Sequence, residues 1–210
     1  MTQHDHQCDA CHSTLKSSLF CSACERLQQL QDQETYFSIF DQPVSFRIDP
    51  AAIERVFDDL VMKLHPDFFA QADERDQALS LQHTSLLHEA KACLLNPFER
   101  GKYLISLFYP GEAVTLGNPP PAFLAEMFAF QEALDDLAAG KGDLQPLQAN
   151  LNELQTRLLH YLANAFDQFT HRHDDQALLA RIREELAKVK FVTNLQARFK
   201  EIQKEAAWNP

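Results

Sequence analysis

Four cysteines stand within the first 24 residues, as Cys8-Asp9-Ala10-Cys11 and Cys21-Ser22-Ala23-Cys24, and a fifth, Cys93, stands far from them. Two Cys-x-x-Cys pairs joined by a short loop can bring four thiolates around one tetrahedral zinc ion. With every ligand position filled by protein, such a metal is structural and leaves no open position for a catalytic water. Disulfide pairing and thiol redox chemistry are the alternatives. Disulfides fit a chain without an export signal poorly. Redox pairs sit where a strand runs into a helix, and neither pair here has that setting. His4, His6 and His12 are close enough in sequence to compete as ligands, but four sulfurs suffice.

A second cluster is His65-Pro66-Asp67, followed by Phe68-Phe69. A catalytic His-Asp pair needs a nucleophile or water in a sheltered pocket and a third group to orient it, and nothing around residues 65–67 suggests an enclosed site. The histidine spacing of a metal site is also missing. A solvated helix stop and a recognition loop remain.

The elements that position these clusters are helical. The 210 residues hold only five glycines, and leucine, alanine, glutamine and glutamate carry long stretches, so the expected fold class is all-α. Asp49 is placed to cap a helix and Pro50 to open it, with Ile53, Val56, Phe57, Leu60, Val61 and Leu64 recurring at three and four. That helix ends at His65, because proline disfavours helix in the residue before it. A second pattern shows one face through Leu79, Leu87, Ala90 and Leu94 and is interrupted at Asn96-Pro97. The two helices predict an antiparallel pair with His65-Pro66-Asp67 exposed at one end.

Residues 110–121 hold the densest run of proline and glycine and read as a linker. Three periodic segments follow, at about 122–139, 144–170 and 175–206, and short connections predict an antiparallel three-helix bundle. The domains are therefore 1–30, a tetracysteine module; 31–109, carrying the hairpin; the linker; and 122–210, the bundle. In the bundle's first helix, Phe123, Met127, Phe130, Leu134 and Leu137 form a core stripe, while Leu124 and Phe128 add apolar surface on a neighbouring line. Cys93, His83 and His88 read as ordinary helix residues, Cys93 buried and the histidines at the surface or partly buried.

A net charge of -11 disfavours broad contact with nucleic acid, which needs a surplus of lysine and arginine. No stretch approaches the roughly 18 apolar residues of a membrane-spanning helix. The opening "MTQHDHQ" is neither signal nor transit peptide, which makes the cytoplasm the expected address.

The ordered set "YFSIF", "LHPDFFA" and "NPFERGKYLISL" resembles a J-domain, the module by which co-chaperones engage DnaK-type ATPase chaperones. With the tail beginning "AFLAEMFAFQEALDD" and the "CDAC" and "LFCSAC" extension, the chain is similar to the iron-sulfur co-chaperone HscB family along most of its length. The resemblance implies a non-enzymatic adaptor that binds an IscU-type iron-sulfur scaffold and delivers it to a DnaK/HscA-type chaperone, whose ATPase it stimulates. It implies that Asp67 makes charged contacts with the chaperone, His65 packs and hydrogen-bonds there, and Pro66 holds the turn; Lys63 stands beside it, and either Lys91, Arg100 and Lys102 add positive charge from the second helix or the chaperone partner differs in charge. It places Leu124, Phe128, Glu132, Asp136 and Phe191 at the scaffold, and Cys8, Cys11, Cys21 and Cys24 on zinc. The chain departs from the usual pattern in two ways. Residues 51–64 hold Arg55 and Lys63 against Glu54, Asp58 and Asp59, and Phe68 stands where a lysine is common. Ala125 and Ala129 stand where larger or acidic residues often occur. The competing classes are a general J-protein for unfolded clients and a Cys-x-x-Cys redox protein, and the mitochondrial matrix is the alternative address.

Overall fold

A computed structural model describes residues 7–15, 19–30 and 34–208. Among them the structure is all-helical, with α1 (Tyr36–Ile39), α2 (Pro50–Leu64), a 3₁₀ turn (Pro66–Phe69), α3 (Glu74–Leu95), α4 (Pro97–Phe108), α5 (Pro121–Ala138), α6 (Leu144–His171) and α7 (Gln176–Trp208). The extended pairing consists of two isolated antiparallel bridges, Gln7 with Thr14 and Phe20 with Leu27. His4 and His6 lie outside the described residues. No helix among these residues is long and apolar enough to cross a membrane.

The contacts divide the chain into two compact units, 1–96 and 97–210. In the first, Thr35 and Ser38 form a reciprocal capping box that starts α1. Asp49 accepts from the Ala51 N–H and Pro50 occupies the first turn of α2, as the sequence predicts. Ile53, Phe57, Leu60 and Leu64 of α2 are buried, and on α3 so are Leu79, Ser80, His83, Leu87, Ala90 and Leu94. The two helices pack together as a hairpin. His83 is therefore a core residue, not a surface one as its type suggests.

In the second unit α7 packs against α4, α5 and α6. The helices of the predicted bundle fall within two residues of their expected bounds. The sequence assigns 97–109 to the hairpin's domain, whereas α4 packs on α7 and the compact units part at 96/97. Gly101 lies at this contact, where a Cβ would clash with Leu186 Cδ2, and the missing side chain suits the close approach of α4 to α7. Within the 110–121 stretch the Gly117 N–H donates to the Arg183 carbonyl at 3.1 Å.

Candidate functional site

The N-terminal cysteines fold into two copies of one turn. The Cys8 and Cys21 carbonyls accept from the N–H four residues on, in His12 and Glu25, at 2.9 and 2.8 Å. Their own N–H groups donate to Ser13 and Arg26 carbonyls, each at 2.9 Å. His12 and Glu25 adopt left-handed φ of 59° and 61°, reversing the chain behind each pair. The Ala10 and Ala23 N–H groups then point at the Cys8 and Cys21 sulfurs, each at 3.4 Å.

All four Sγ atoms lie within 4.8 Å of one another, and this group contains no His, Asp or Glu, so His12 is not part of it. Cys8 and Cys24 are 3.6 Å apart, as are Cys11 and Cys21. That is far beyond the roughly 2.05 Å of a disulfide and close to the sulfur separation of about 3.8 Å that tetrahedral bonds of about 2.3 Å require. The Ser13 hydroxyl, 3.3 Å from Cys11, is the main cause that lowers its thiol to about 6. At Cys24 the Arg26 N–H favours the thiolate, but desolvation and the three neighbouring sulfurs oppose it and push the thiol up to about 12. Four sulfurs held this close resist full ionisation until a cation neutralises them. The donor set fits a tetrahedrally bound metal ion.

At the hairpin tip, His65 has φ -59° and ψ 130°, the extended conformation that Pro66 demands. Phe68 N–H donates to the His65 carbonyl at 3.0 Å, closing the 3₁₀ turn. The Asp67 N–H donates to His65 Nδ1 at 3.3 Å. The same Nδ1 lies 3.6 Å from Asp67 Oδ2, and a neutral ring that accepts the Asp67 N–H at Nδ1 carries its proton on Nε2, where it can donate to a partner. Gln77 Nε2 braces the loop from α3 through the carbonyls of Ala70, at 3.3 Å, and Ala72, at 2.9 Å. The Asp67 side chain is 89% exposed and Phe68 is 75% exposed. The turn is a braced, solvent-facing display.

In the second unit, Leu124, Met127 and Phe128 of α5 face Phe191 and Leu195 of α7 across an open groove of about 330 Å³, with Gln131, Asn194 and Arg198 at its polar edge. Phe128 is 69% exposed and Phe191 42% exposed. Phe123, one residue before Leu124, turns inward and meets the Phe191 ring edge-on at 6.4 Å.

A sequence profile of the HSCB C-terminal oligomerisation domain matches residues 119–200. The mouse "Iron-sulfur cluster co-chaperone protein HscB" is 28% identical over 86% of this chain and 74% of its own length. A "Co-chaperone protein HscB homolog" from an Azoarcus species is 33% identical over 64% of this chain and 78% of its own. This chain belongs to the HscB co-chaperone family. The fold agrees: the crystal structure of human HscB superposes with a TM-score of 0.72 at 24% identity, covering 94% of this chain and 98% of that one. HscB from Vibrio cholerae gives 0.68 over 82% and 99%.

Within this HscB framework the sequence-predicted residues are distributed unevenly. His65, Pro66 and Asp67 share one turn. Lys63 is paired with Asp59 at 2.7 Å, and Lys91 pairs with Glu54 while its Nζ lies 3.9 Å over the Phe57 ring. Both lysines are thus partly neutralised by carboxylates of α2, Lys63 on its own helix and Lys91 across the hairpin. Arg100 is 6% exposed and lies in the second unit, on the buried face of α4 with Phe98, Gly101 and Leu104. Its guanidinium therefore presents little charge to solvent. Lys102 is paired with Glu99 at 3.0 Å. Leu124, Phe128 and Phe191 line the groove; Glu132 and Asp136 are exposed farther along α5 and do not line it. Sequence reasoning misses Ser80, Thr84, Gln77 and Gln28, which secure the tip and the cysteine turns, because polar residues on a helix give no signal of which carbonyl they will meet.

Proposed function

We propose that this HscB-family protein is the J-domain adaptor of iron-sulfur cluster assembly. It holds an IscU-type scaffold with the α5–α7 groove and stimulates the ATPase of a DnaK/HscA-type chaperone with the His65-Pro66-Asp67 turn. The observation that carries this reading is that one chain presents both a braced, exposed His-Pro-Asp turn and an open apolar groove, in a family whose mouse member is named for iron-sulfur clusters. Holding cargo and trigger on one molecule raises the local concentration of scaffold at the chaperone. Asp67 supplies the charged contact, His65 the Nε2 donor and Pro66 the fixed backbone; Lys63 and Lys91 contribute charge that their partners moderate. Zinc is the metal of the cysteine site, where Cys8, Cys11, Cys21 and Cys24 hold it and it acts structurally. The bacterial cytoplasm is the proposed compartment, with the mitochondrial matrix as the alternative.

The test couples scaffold capture to chaperone turnover. Asp67→Asn should bind the scaffold normally and fail to stimulate ATP hydrolysis. Leu124→Ala with Phe128→Ala should stimulate hydrolysis without scaffold and lose capture of the folded scaffold. Full stimulation by Asp67→Asn, or preferential capture of denatured proteins over the folded scaffold, would overturn the assignment, the latter in favour of a general client-binding J-protein.

A further inference from the structure

The cysteine module is fastened to the end of the hairpin that bears His65-Pro66-Asp67. Arg26 is the hinge of this attachment. Its carbonyl accepts from Cys21 N–H at 2.9 Å, closing the second cysteine turn. Its guanidinium reaches Asp73 at 3.0 Å and Asp76 at 3.8 Å. Asp73 is the N-cap of α3, accepting from Asp76 N–H at 2.8 Å, so it is where the loop beginning at His65 ends. In return, Arg75 reaches Asp9, beside Cys8, at 3.3 Å.

Two further contacts run alongside. Buried Gln28 donates to Cys8 Sγ at 3.5 Å, and its carbonyl meets buried His83 Nε2 on α3 at 2.8 Å. On the other flank Lys63, in the last turn of α2, sits 5.6 Å over the ring of Phe20, the neighbour of Cys21. The first turn of α3 carries Glu74 and Asp76 beyond its Asp73 cap. Arg26 from the module supplies counter-charge to this acidic end. Its position depends on the turn that Cys21 and Cys24 define.

We propose that the four-cysteine site sets how the His65-Pro66-Asp67 loop is presented, and that Arg26 is the positioning residue that links them. A bound metal fixes both cysteine turns and holds Arg26 against the α3 N-cap. Without it, the sulfurs separate, Arg26 loses its anchor, and the loop and first turn of α3 open more often. The consequence for a chaperone rests on the adaptor reading above; the coupling between module and loop does not.

The experiment measures amide hydrogen exchange on the full chain, loaded with zinc or stripped by chelator under reductant. Stripping should speed exchange across residues 65–76 roughly two- to fivefold, as expected for losing a small ion-pair network, while α5 and α6 are unchanged. Arg26→Gln should retain its zinc, show the same acceleration, and respond little to further stripping. It should also need correspondingly more protein for half-maximal stimulation of a DnaK-type ATPase. Asp73→Asn with Asp76→Asn keeps an N-cap side chain, leaves the module untouched and should reproduce the effect; it decides the matter if Arg26→Gln loses metal. Unchanged exchange at 65–76 on stripping, or an additive response in either variant, overturns the proposal. Coupled exchange in a chain that stimulates no chaperone would uphold the coupling and refute the adaptor reading.

Discussion

The Ser80 hydroxyl, wholly buried on α3, donates to the carbonyl oxygen of Leu64, the last residue of α2, at 2.7 Å. Thr84 adds a second donor to the same oxygen at 3.2 Å. A helix ends with carbonyls lacking partners, and here the partner helix satisfies one of them immediately before His65. The end of α2 is thereby tied to α3, which fixes where the Pro66 turn begins.

Removing one donor should be tolerated better than removing both. Ser80→Ala is expected to cost about 1 kcal/mol, because Thr84 remains. Ser80→Ala with Thr84→Val leaves the Leu64 oxygen buried without either donor and should cost about 1–3 kcal/mol. Denaturant unfolding of the two variants checks this, and equal losses would mean that Thr84 contributes nothing.

His83 makes the first unit sensitive to acid. Its ring is fully buried, with Nε2 on the Gln28 carbonyl, and Nδ1 has no hydrogen-bond partner. Burial lowers its proton affinity below the ordinary value of 6.5, against the opposing pull of the Gln28 carbonyl. As pH falls, the unfolded chain therefore takes up this proton first. The stability that His83 contributes is intact above 6.5 and is lost as pH drops below it. Wild type should lose unfolding midpoint between about pH 7.5 and about pH 5.5 more steeply than His83→Gln, whose amide can still donate to Gln28. Comparing the two proteins at each pH removes the common effect of protons competing for the cysteines. Identical slopes would acquit His83.

Much of this was legible in the sequence because it is written in short covalent spacings. The two Cys-x-x-Cys pairs, Asp49-Pro50, His65-Pro66-Asp67 and Asn96-Pro97 each encode a local conformation, and the helices begin and end where these residues require. What was not legible depends on encounters between distant residues. The inward face of α3 carries Ser80 and His83 among its leucines, which blurs the apolar period; only the Leu64 and Gln28 carbonyls make those positions buried. Arg100 reads as exposed by type but belongs to the buried face of α4. That α4 packs on α7, with Gly101 against Leu186, rests on a contact no local pattern announces. In the groove, the first turns of α5 announced Leu124 and Phe128, but which side of α7 they meet is a property of the bundle.

The two close glycines should respond differently to alanine. At Gly117 a Cβ would lie 2.8 Å from the Glu184 nitrogen and 2.9 Å from its Cα, both backbone atoms of a helix that cannot yield. At Gly101 the obstacle is the Leu186 side chain, and alanine recovers up to about 1 kcal/mol of helix propensity. Gly117→Ala is expected to destabilise the second unit by about 1–3 kcal/mol. Gly101→Ala should cost less. Thermal unfolding of both variants gives the order, and the reverse order would mean that the loop at 117 shifts more readily than the packed Leu186.

Phe128 and Leu134 lie on the same helix, yet their truncation should separate binding from stability. Leu134 is wholly buried, so Leu134→Ala leaves a cavity and should cost about 2–5 kcal/mol. Phe128 is mostly in solvent, so Phe128→Ala should change stability by no more than about 0.5 kcal/mol. The same Phe128→Ala protein should lose affinity for the proposed iron-sulfur scaffold partner, since a large exposed ring at the mouth of an apolar groove is the group a partner would bury. Titration calorimetry beside denaturant unfolding reads both quantities on one sample. If Phe128→Ala unfolds as readily as Leu134→Ala, the ring serves the bundle's own packing. If it binds the scaffold with undiminished affinity, the α5–α7 groove is not the contact.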